Sequence, residues 1–248
     1  MVSKKISPIM SQGLIVMKKN YQQINTVISS HRHGLYQVAL LLMLSIFNLV
    51  HAASSISGST DKSWDFKVYL DGDEIGFHNF SMLQKENRQE IYSSARFDVK
   101  FLFFNAYSYE HDNVEHWRGQ CLESINAVTN DNGDRYNVSG KVDNDEFIVN
   151  TLEKKSAYLS CVKTFAYWDP DFLNETRLLN SQTGEMIEVE SQFIGNETMI
   201  HRGKETEARH YRLLGENLQI DLWYSADDNW LALESLTEGG RVVRYAMP

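Results

Sequence analysis

The feature of this sequence that most restricts its fold is the strict alternation of apolar and polar side chains. Trp64, Phe66 and Val68 alternate with Asp65 and Lys67, so that every second side chain is apolar. A period of two residues with one apolar face is typical of antiparallel β-strands that cover a core on one side. The pattern recurs in about ten segments, near the upper limit for an open twisted sheet: 64–70, 91–103, 117–129, 136–142, 147–151, 187–193, 210–214, 218–224, 230–236 and 241–245.

Turn-forming residues separate these segments. Gly, Asn and Asp cluster at 71–73, 130–134 and 239–240 among other places, and they reach the positive φ that tight hairpin turns require. A sheet of about ten strands built from successive hairpins curls or closes, which also protects its edges. The sequence therefore predicts a mainly β fold, one strongly curved antiparallel sheet or a near-closed β-barrel of about ten strands. It would form a single domain over residues 63–248, preceded by a flexible stretch at 53–62.

One segment breaks the period of two. Val162 and Ala166 fall at helical spacing, and Asp169 followed by Pro170 is typical of a helix N-cap with proline in the first turn. We therefore expect a short helical insert around residues 155–178, held across the curved sheet.

Residues 1–52 have the organisation of a secretory signal peptide. They contain five basic side chains and no Asp or Glu, and an apolar run at 38–47 precedes a small-x-small exit that ends at Ala52. The apolar run is too short for a membrane-spanning helix, which needs about 20 apolar residues. The sequence predicts a periplasmic or secreted protein with cleavage near Ala52, from a start at Met1 or Met17. An uncleaved N-terminal anchor is the alternative.

Removal of the signal peptide leaves an acidic protein. The whole chain has 24 basic and 33 acidic side chains, and the loss of five basic ones leaves 19 against 33, a net charge of −14. Clustered Lys and Arg side chains bind nucleic acids and anionic membrane surfaces, so this charge disfavours both as partners. We expect a monomer with no nucleic-acid partner and no membrane span after signal cleavage.

The two cysteines, Cys121 and Cys161, both lie beyond the signal peptide. An even pair in an oxidising compartment predicts a disulfide. This bond would tie the helical insert to a strand and close a loop of about 40 residues. Two free thiols are the alternative, and the spacing gives no support to a cysteine-based metal site.

A polar cluster on one segment is the best candidate for chemistry: Tyr107, Tyr109, His111, Glu115 and His116. Two imidazoles and a carboxylate can bind a metal ion or catalyse acid–base steps, but the spacing HxxxEH matches neither of the zinc motifs HExxH and HxxEH. On a continuous strand His111 and His116 face opposite sides, whereas a turn at 112–113 would bring them together. The alternative is an exposed hairpin end without chemistry, and no motif predicts a cofactor.

Aromatic side chains make up 12% of the chain, and their arrangement decides whether the interior is filled or hollow. On a sheet they form a solid core, or they line an apolar pocket in which tyrosine hydroxyls and an arginine fix the polar head of a lipid-like ligand. The predicted ligand-binding residues are Phe101, Phe103, Tyr107, Tyr109, Trp117, Arg118, Tyr167, Trp168, Trp223 and Arg241.

Five stretches of the chain form a recognisable set: FFNAYSY at 103–109, TFAYWDP at 164–170, LLNSQTG at 178–184, LWYS at 222–225 and the ending 230–245. Together they resemble a family of exported proteobacterial proteins known only as a domain of unknown function. The resemblance covers residues 64–247 and implies no reaction. At the level of the fold alone, the ending is also similar to periplasmic half-barrels of the lipoprotein-carrier type, in which a curved sheet and a short helical insert enclose an apolar cavity.

Three functions are compatible with these observations. The first, our leading hypothesis, is a soluble periplasmic binding or carrier module for a hydrophobic small molecule or lipid. The second is a non-catalytic partner of an envelope protein, with a solid core and an acidic docking face. The third is an enzyme that uses His111, Glu115 and His116. The first two differ in whether the interior of the sheet is empty or filled.

Overall fold

A computed structural model describes residues 62–101, 104–237 and 239–248. The predicted signal peptide with its cleavage site at Ala52 lies outside these residues, as do Phe103 and all but the last position of the flexible stretch. No helix in the described part of the chain is long and apolar enough to cross a membrane.

Fourteen strands and one turn of 3-10 helix, Pro170–Asn174, make up the regular structure of the described residues. The strands are β1 Lys62–Leu70, β2 Asp73–Lys85, β3 Arg88–Phe101, β4 Phe104–Arg118, β5 Cys121–Asp131, β6 Asp134–Asp143, β7 Glu146–Thr151, β8 Lys155–Leu159, β9 Arg177–Leu179, β10 Met186–His201, β11 Lys204–Gly215, β12 Leu218–Tyr224, β13 Trp230–Leu236 and β14 Val242–Ala246.

All of these strands belong to one antiparallel sheet, in which the first strand, β1, and the last strand, β14, are neighbours. From β1 the sheet runs in chain order to the edge strand β8, and from β14 it runs in reverse order to the other edge strand, β9. The edges β8 and β9 do not pair with each other, so the sheet is not closed. The predicted antiparallel sheet is confirmed, but it is open and has fourteen strands rather than about ten.

Four of the strands were not predicted from the sequence: β2, β4, β8 and β9. In β2 an extra residue, Ile75, lies opposite the step from Val68 to Tyr69 and shifts the alternation by one position. In β4 three consecutive inward positions, His111, Asn113 and Glu115, are polar and interrupt the apolar period. The remaining two are edge strands of five and three residues, too short to show a period.

The inner face of the sheet forms one apolar core, and strands that do not pair meet across it. Phe80 of β2 lies 5.2 Å from Trp230 of β13, and Phe97 of β3 lies 6.4 Å from Tyr245 of β14, measured between ring centroids. Contacts of this kind show that the sheet is rolled around its core. Each fully buried aromatic side chain contributes roughly 1.5–3 kcal/mol through the removal of apolar surface from water.

The connection between the two edge strands fills the rolled sheet, and we call residues 160–176 the plug. Its buried side chains include Val162, Tyr167 and Trp168, all part of the same core. The plug is fixed by hydrogen bonds to the wall, including one from the Tyr224 hydroxyl to the carbonyl oxygen of Tyr167 at 2.9 Å and one from Leu122 N to the carbonyl oxygen of Val162 at 3.0 Å. The interior of the described fold is therefore largely packed by the chain itself.

The helical insert predicted around residues 155–178 is wrong for most of its length. Lys155–Leu159 forms β8 on the edge of the sheet, and Cys161 has a φ of 68°, which ends the strand in a left-handed conformation. Only the Asp-Pro signal forms a helical turn: the Asp169 carboxylate caps the 3-10 helix Pro170–Asn174 by accepting a backbone N–H at 3.1 Å. Pairing of β8 with β7 satisfies backbone groups that a helix would have to satisfy locally.

The two cysteines form the predicted disulfide. Cys121 is the first residue of β5, and Cys161 begins the plug, with 4.4 Å between the two Cα atoms. The bond closes a loop with a sequence separation of 40 residues. It therefore ties the plug, rather than a helix, to the sheet.

Candidate functional site

A cavity of about 70 Å³ lies inside the rolled sheet, between the strands β2 to β4 and the plug. This volume corresponds to about two water molecules, at roughly 30 Å³ each. The sheet contributes to its lining His78, Ser93, Tyr109, His111, Asn113 and Glu115, and the plug contributes Thr164, Phe165, Tyr167 and Trp168. Among the described residues, no Lys or Arg lines this cavity.

Alternate residues of β4 supply most of the polar lining. Because successive side chains of a strand point to opposite faces, His111, Asn113 and Glu115 all point inward and are buried. His116 points outward and is 45% exposed at its side chain. The strand is continuous over its whole length, so no turn brings His111 and His116 together. The described residues contain no group of three or more side chains that could hold a metal ion.

The carboxylate of Glu115 accepts three hydrogen bonds from uncharged donors. Asn113 Nδ2 and Trp117 Nε1 each donate at 2.9 Å, and the Thr164 hydroxyl of the plug donates at 3.1 Å. Burial raises the pKa of Glu115 above its ordinary value, whereas the three hydrogen bonds act in the opposite direction. Glu115 thus connects β4 to the plug.

Two imidazoles in the interior are held in the neutral form. Burial lowers the pKa of His111 to about 4, and its Nδ1 lies 2.8 Å from the Thr129 hydroxyl oxygen. Burial, with a smaller contribution from His111, lowers the pKa of His78 well below its ordinary value. Desolvation disfavours the charged imidazolium, so both rings carry one N–H donor and one acceptor nitrogen at neutral pH.

A second polar network lies next to the cavity and orders its wall. The Tyr107 hydroxyl donates to Asp131 at 2.9 Å, the Gln182 amide donates to the same carboxylate at 3.3 Å, and the Tyr109 hydroxyl donates to Gln182 at 3.0 Å. Gln182 lies in the turn between β9 and β10, so these bonds connect that turn to β4. Since buried polar groups are costly unless they are paired, the network holds one end of the cavity in a defined shape.

Two residues of the cavity lining each have a buried polar atom without a hydrogen-bond partner among the described residues: Asn113 Oδ1 and Tyr167 Oη. Asn113 is 7% exposed and Tyr167 is 6% exposed, so bulk water does not satisfy them. One atom is an acceptor, and the other carries a hydroxyl hydrogen that can be donated. An unsatisfied buried polar group costs about 1–3 kcal/mol, and a bound molecule or ordered water that pairs with both would recover this energy.

The structure brings five of the predicted ligand-binding residues into the interior: Tyr107, Tyr109, Trp117, Tyr167 and Trp168. The rings of Trp117 and Trp168 meet edge to face with 5.4 Å between their centroids, which joins β4 to the plug. Of these five residues, Tyr109, Tyr167 and Trp168 line the cavity.

Three other predicted residues lie on the outside. Arg118 pairs with a surface carboxylate, Glu123. Trp223 stacks on His210 at 4.5 Å on the outer face of β12. Arg241 pairs with Asp71 at 2.5 Å. None of the three lines the cavity. Phe101 ends β3, and Phe103 lies outside the described residues.

Sequence reasoning missed His78, Ser93 and Asn113 as parts of the site. Each is a single polar residue on a different strand, β2, β3 or β4, and only the register of the sheet places them side by side. Ser93 lies directly opposite Asn113, and Phe80, two positions along from His78, lies opposite Ser93. No local sequence motif identifies such a set. A polar residue at an inward position of an alternating strand is the one signal that could indicate a site residue.

A family model matches residues 66–247, and its description is a domain of unknown function, DUF6134. No match was found among the curated proteins. Among solved structures, the chain is similar to the crystal structure of a beta-barrel-like protein of the domain of unknown function DUF1849 from Brucella abortus, with a TM-score of 0.54 and 8% sequence identity. The similarity covers 76% of this chain and 95% of that chain, and at this identity it concerns the fold alone.

Proposed function

Since this chain belongs to the family described as a domain of unknown function, DUF6134, which assigns no role, we propose from the polar groups of its interior an extracytoplasmic binding module for an uncharged, hydrogen-bonding ligand group. The observation that supports this most directly is the pair of buried atoms without partners, Asn113 Oδ1 and Tyr167 Oη, at the cavity. A primary amide has the complementary groups, because its N–H₂ can donate to Asn113 and its carbonyl oxygen can accept from Tyr167.

The electrostatics of the cavity disfavour an anionic ligand group. Among the described residues the lining has no Lys or Arg to neutralise a phosphate or a carboxylate, and burying an unpaired charge is far more costly than burying an amide. His78 and His111 are neutral for the reasons given above. The ligand group we propose is therefore an amide, a hydroxyl or another uncharged polar group.

The size of the cavity restricts how a lipid-like molecule could bind. Pockets for drug-sized ligands measure about 300–1,000 Å³, whereas this cavity measures about 70 Å³. An acyl chain does not fit inside it, but the polar end of an amphipathic molecule does. We propose that the polar end enters the cavity and that the apolar part lies against Phe165, a half-buried residue of the lining.

We place this binding module in the periplasm. The basic and then apolar leader at 1–52 supports export, and the disulfide between Cys121 and Cys161 supports an oxidising compartment. Mass spectrometry of the protein purified from the envelope fraction should show a chain that begins at Ala53. A chain that retains residues 1–52 would contradict signal cleavage.

Isothermal titration calorimetry with hexanamide and hexanoate tests the proposed ligand class. We expect hexanamide to bind and hexanoate, which is ionised at neutral pH, to bind at least about tenfold more weakly, because no cation lines the cavity. Tyr167→Phe should weaken hexanamide binding by about three- to tenfold through the loss of one hydrogen bond.

Tyr92→Phe is the matched control, since Tyr92 is 41% exposed on the outer face. Binding by this variant should equal that of the wild type. If hexanamide gives no heat of binding, or if the Tyr167→Phe variant binds it as the wild type does, the proposed site is wrong. A filled core whose role is protein interaction alone predicts no response to either molecule.

A further inference from the structure

A serine and a histidine are hydrogen-bonded to each other in the wall of the cavity. Ser93 Oγ lies 2.7 Å from His78 Nε2. The two residues come from adjacent strands, β3 and β2, whose register places His78 beside Ala95 and Phe80 beside Ser93. Ser93 is 7% exposed, and both side chains line the cavity.

The second nitrogen of His78 faces a hydroxyl group that can accept a hydrogen bond from it. His78 Nδ1 lies 3.4 Å from the Tyr245 hydroxyl oxygen, which can accept a hydrogen bond from an Nδ1–H group. With the hydrogen on Nδ1, the lone pair of Nε2 points at Ser93 and can take its proton. Tyr245 therefore orients the ring as the third group does in other nucleophile–base pairs.

We propose that Ser93 and His78 are a nucleophile–base pair that accepts a short acyl group, such as acetyl, from an uncharged ester whose carbonyl group enters the cavity. The inference rests on the proposed function, because the ester must occupy the same cavity as the uncharged ligand group. It adds a reaction to what would otherwise be binding alone.

The reaction needs no co-reactant besides water. Ser93 Oγ forms a bond to the carbonyl carbon of the ester while its proton moves to His78 Nε2. The bond from the carbonyl carbon to the alcohol oxygen then breaks, and the alcohol leaves with that proton. Water, activated by the same nitrogen, attacks the acyl-serine, which returns the serine and releases the carboxylic acid.

A donor for the carbonyl oxygen is present at the same cavity. The Tyr167 hydroxyl is buried and has no acceptor among the described residues, and Tyr167 is part of the cavity lining. A hydrogen bond from this group would stabilise the negative charge that develops on the oxygen during attack. Since its backbone is fixed by the Tyr224 hydroxyl, Tyr167 is held in place before the substrate arrives.

Two other histidine–hydroxyl pairs show why the cavity matters. His111 lies 2.8 Å from the Thr129 hydroxyl, but Thr129 does not line the cavity. His116 lies 3.1 Å from the Ser124 hydroxyl on the outer face of the sheet. Unlike Ser93, neither Thr129 nor Ser124 is part of the lining of a cavity that its histidine lines, so we expect Ser93 to react.

Acetylation by p-nitrophenyl acetate tests the inference on the folded, disulfide-bonded protein. Peptide mass spectrometry of the wild type should locate an acetyl group on Ser93, formed together with a burst of p-nitrophenolate. Ser93→Ala should abolish the burst, and His78→Gln should slow it by about 100-fold, in the range expected for loss of a general base. Excess hexanamide should slow the reaction by competition.

Ser94→Ala is the matched control, since Ser94 points outward and donates to Asp112 at 2.9 Å. Its burst should equal that of the wild type. Because the acetylated residue is mapped in the wild type, the result does not depend on the folding of any variant. Absence of an acetyl group on Ser93, or equal acetylation of Ser94 and Thr129, would overturn the inference. Hexanamide binding without acetylation refutes the reaction alone, and loss of both refutes the binding site as well.

Discussion

At the scale of single residues, the interior contains ionisable side chains whose charged forms are disfavoured by burial. His111 and His78 are kept neutral by burial, and burial also raises the pKa of Glu115. All three groups have uncharged hydrogen-bond partners. Their protonation states therefore differ between the folded and unfolded chain, and the free energy of unfolding must depend on pH.

The lowered pKa of His111 determines the direction in which this residue makes the free energy of unfolding change with pH. Its pKa falls from 6.5 to about 4 on folding, so between these values the unfolded chain binds a proton that the folded chain does not. Stability is lost as the pH falls through this window, by up to ~3 kcal/mol for this residue. His111→Gln, which does not titrate, should lose less stability than the wild type over the same range, as urea unfolding at several pH values would show.

Glu115 acts in the opposite direction, because a raised pKa in the folded state favours folding at low pH. The comparison between His111→Gln and wild type cancels this contribution, which both proteins share. His116→Gln, on the outer face of the same strand, is the control. Parallel stability curves for His111→Gln and wild type would contradict the assignment of a neutral, buried His111.

Gly76 is a position where only glycine fits. Its φ is 152°, and a Cβ atom there would collide with the carbonyl oxygen of Arg96 on the neighbouring strand. Gly76→Ala should lower the free energy of unfolding by more than about 3 kcal/mol. Gly133→Ala, at a φ of 102° in open space, should cost only about 1–2 kcal/mol. Equal losses in thermal or urea unfolding would show that the collision is relieved.

At the scale of elements, the sequence predicts most strands and misplaces one segment. Strands with an apolar inner face, such as β1 with Trp64 and Phe66, are visible as a period of two. β4 is invisible in this way because His111 and Glu115 occupy its inner face. The strand that carries most of the candidate site is therefore one that hydrophobic periodicity misses, since a polar site replaces the pattern that reveals a strand.

The segment after β7 was misplaced for a different reason. Val162 and Ala166 are both buried, but they face the core from an irregular chain and not from one side of a helix. Spacing alone does not distinguish these cases over so short a stretch. The Asp169–Pro170 signal, by contrast, is local chemistry, and it forms the capped turn that it predicts.

The disulfide should stabilise the plug against local opening more than it stabilises the sheet. Its loop of 40 residues corresponds to about 4 kcal/mol in the chain-entropy model. A Cys121→Ser, Cys161→Ser double variant should lose about that much stability in urea unfolding. Hydrogen exchange should accelerate first in residues 160–168. A uniform acceleration across all strands would mean that the plug and the sheet open as one unit.

At the scale of the whole molecule, sequence reasoning identified an antiparallel sheet but not what lies within it. Hollow and filled barrels have the same alternating pattern. Whether the interior is empty or packed therefore depends on the path of the plug. That path depends on Cys161, Thr164 and Tyr167 contacting strands distant in sequence. The hypothesis of a lipid-filled interior is thereby reduced to a small polar cavity. Three of its residues, His78, Ser93 and Asn113, are brought together only by the register of β2, β3 and β4.

The pairing of β1 with β14 has a consequence for the timing of folding. During the proposed export the N-terminal strands emerge first, and β1 then has only β2 beside it, because its other neighbour is the last strand of the chain. Contacts between residues so distant in sequence form slowly, since the entropy of closing the intervening loop must be lost first. The sheet cannot be completed until β14 has emerged, so folding before that point is confined to hairpins among the strands already present.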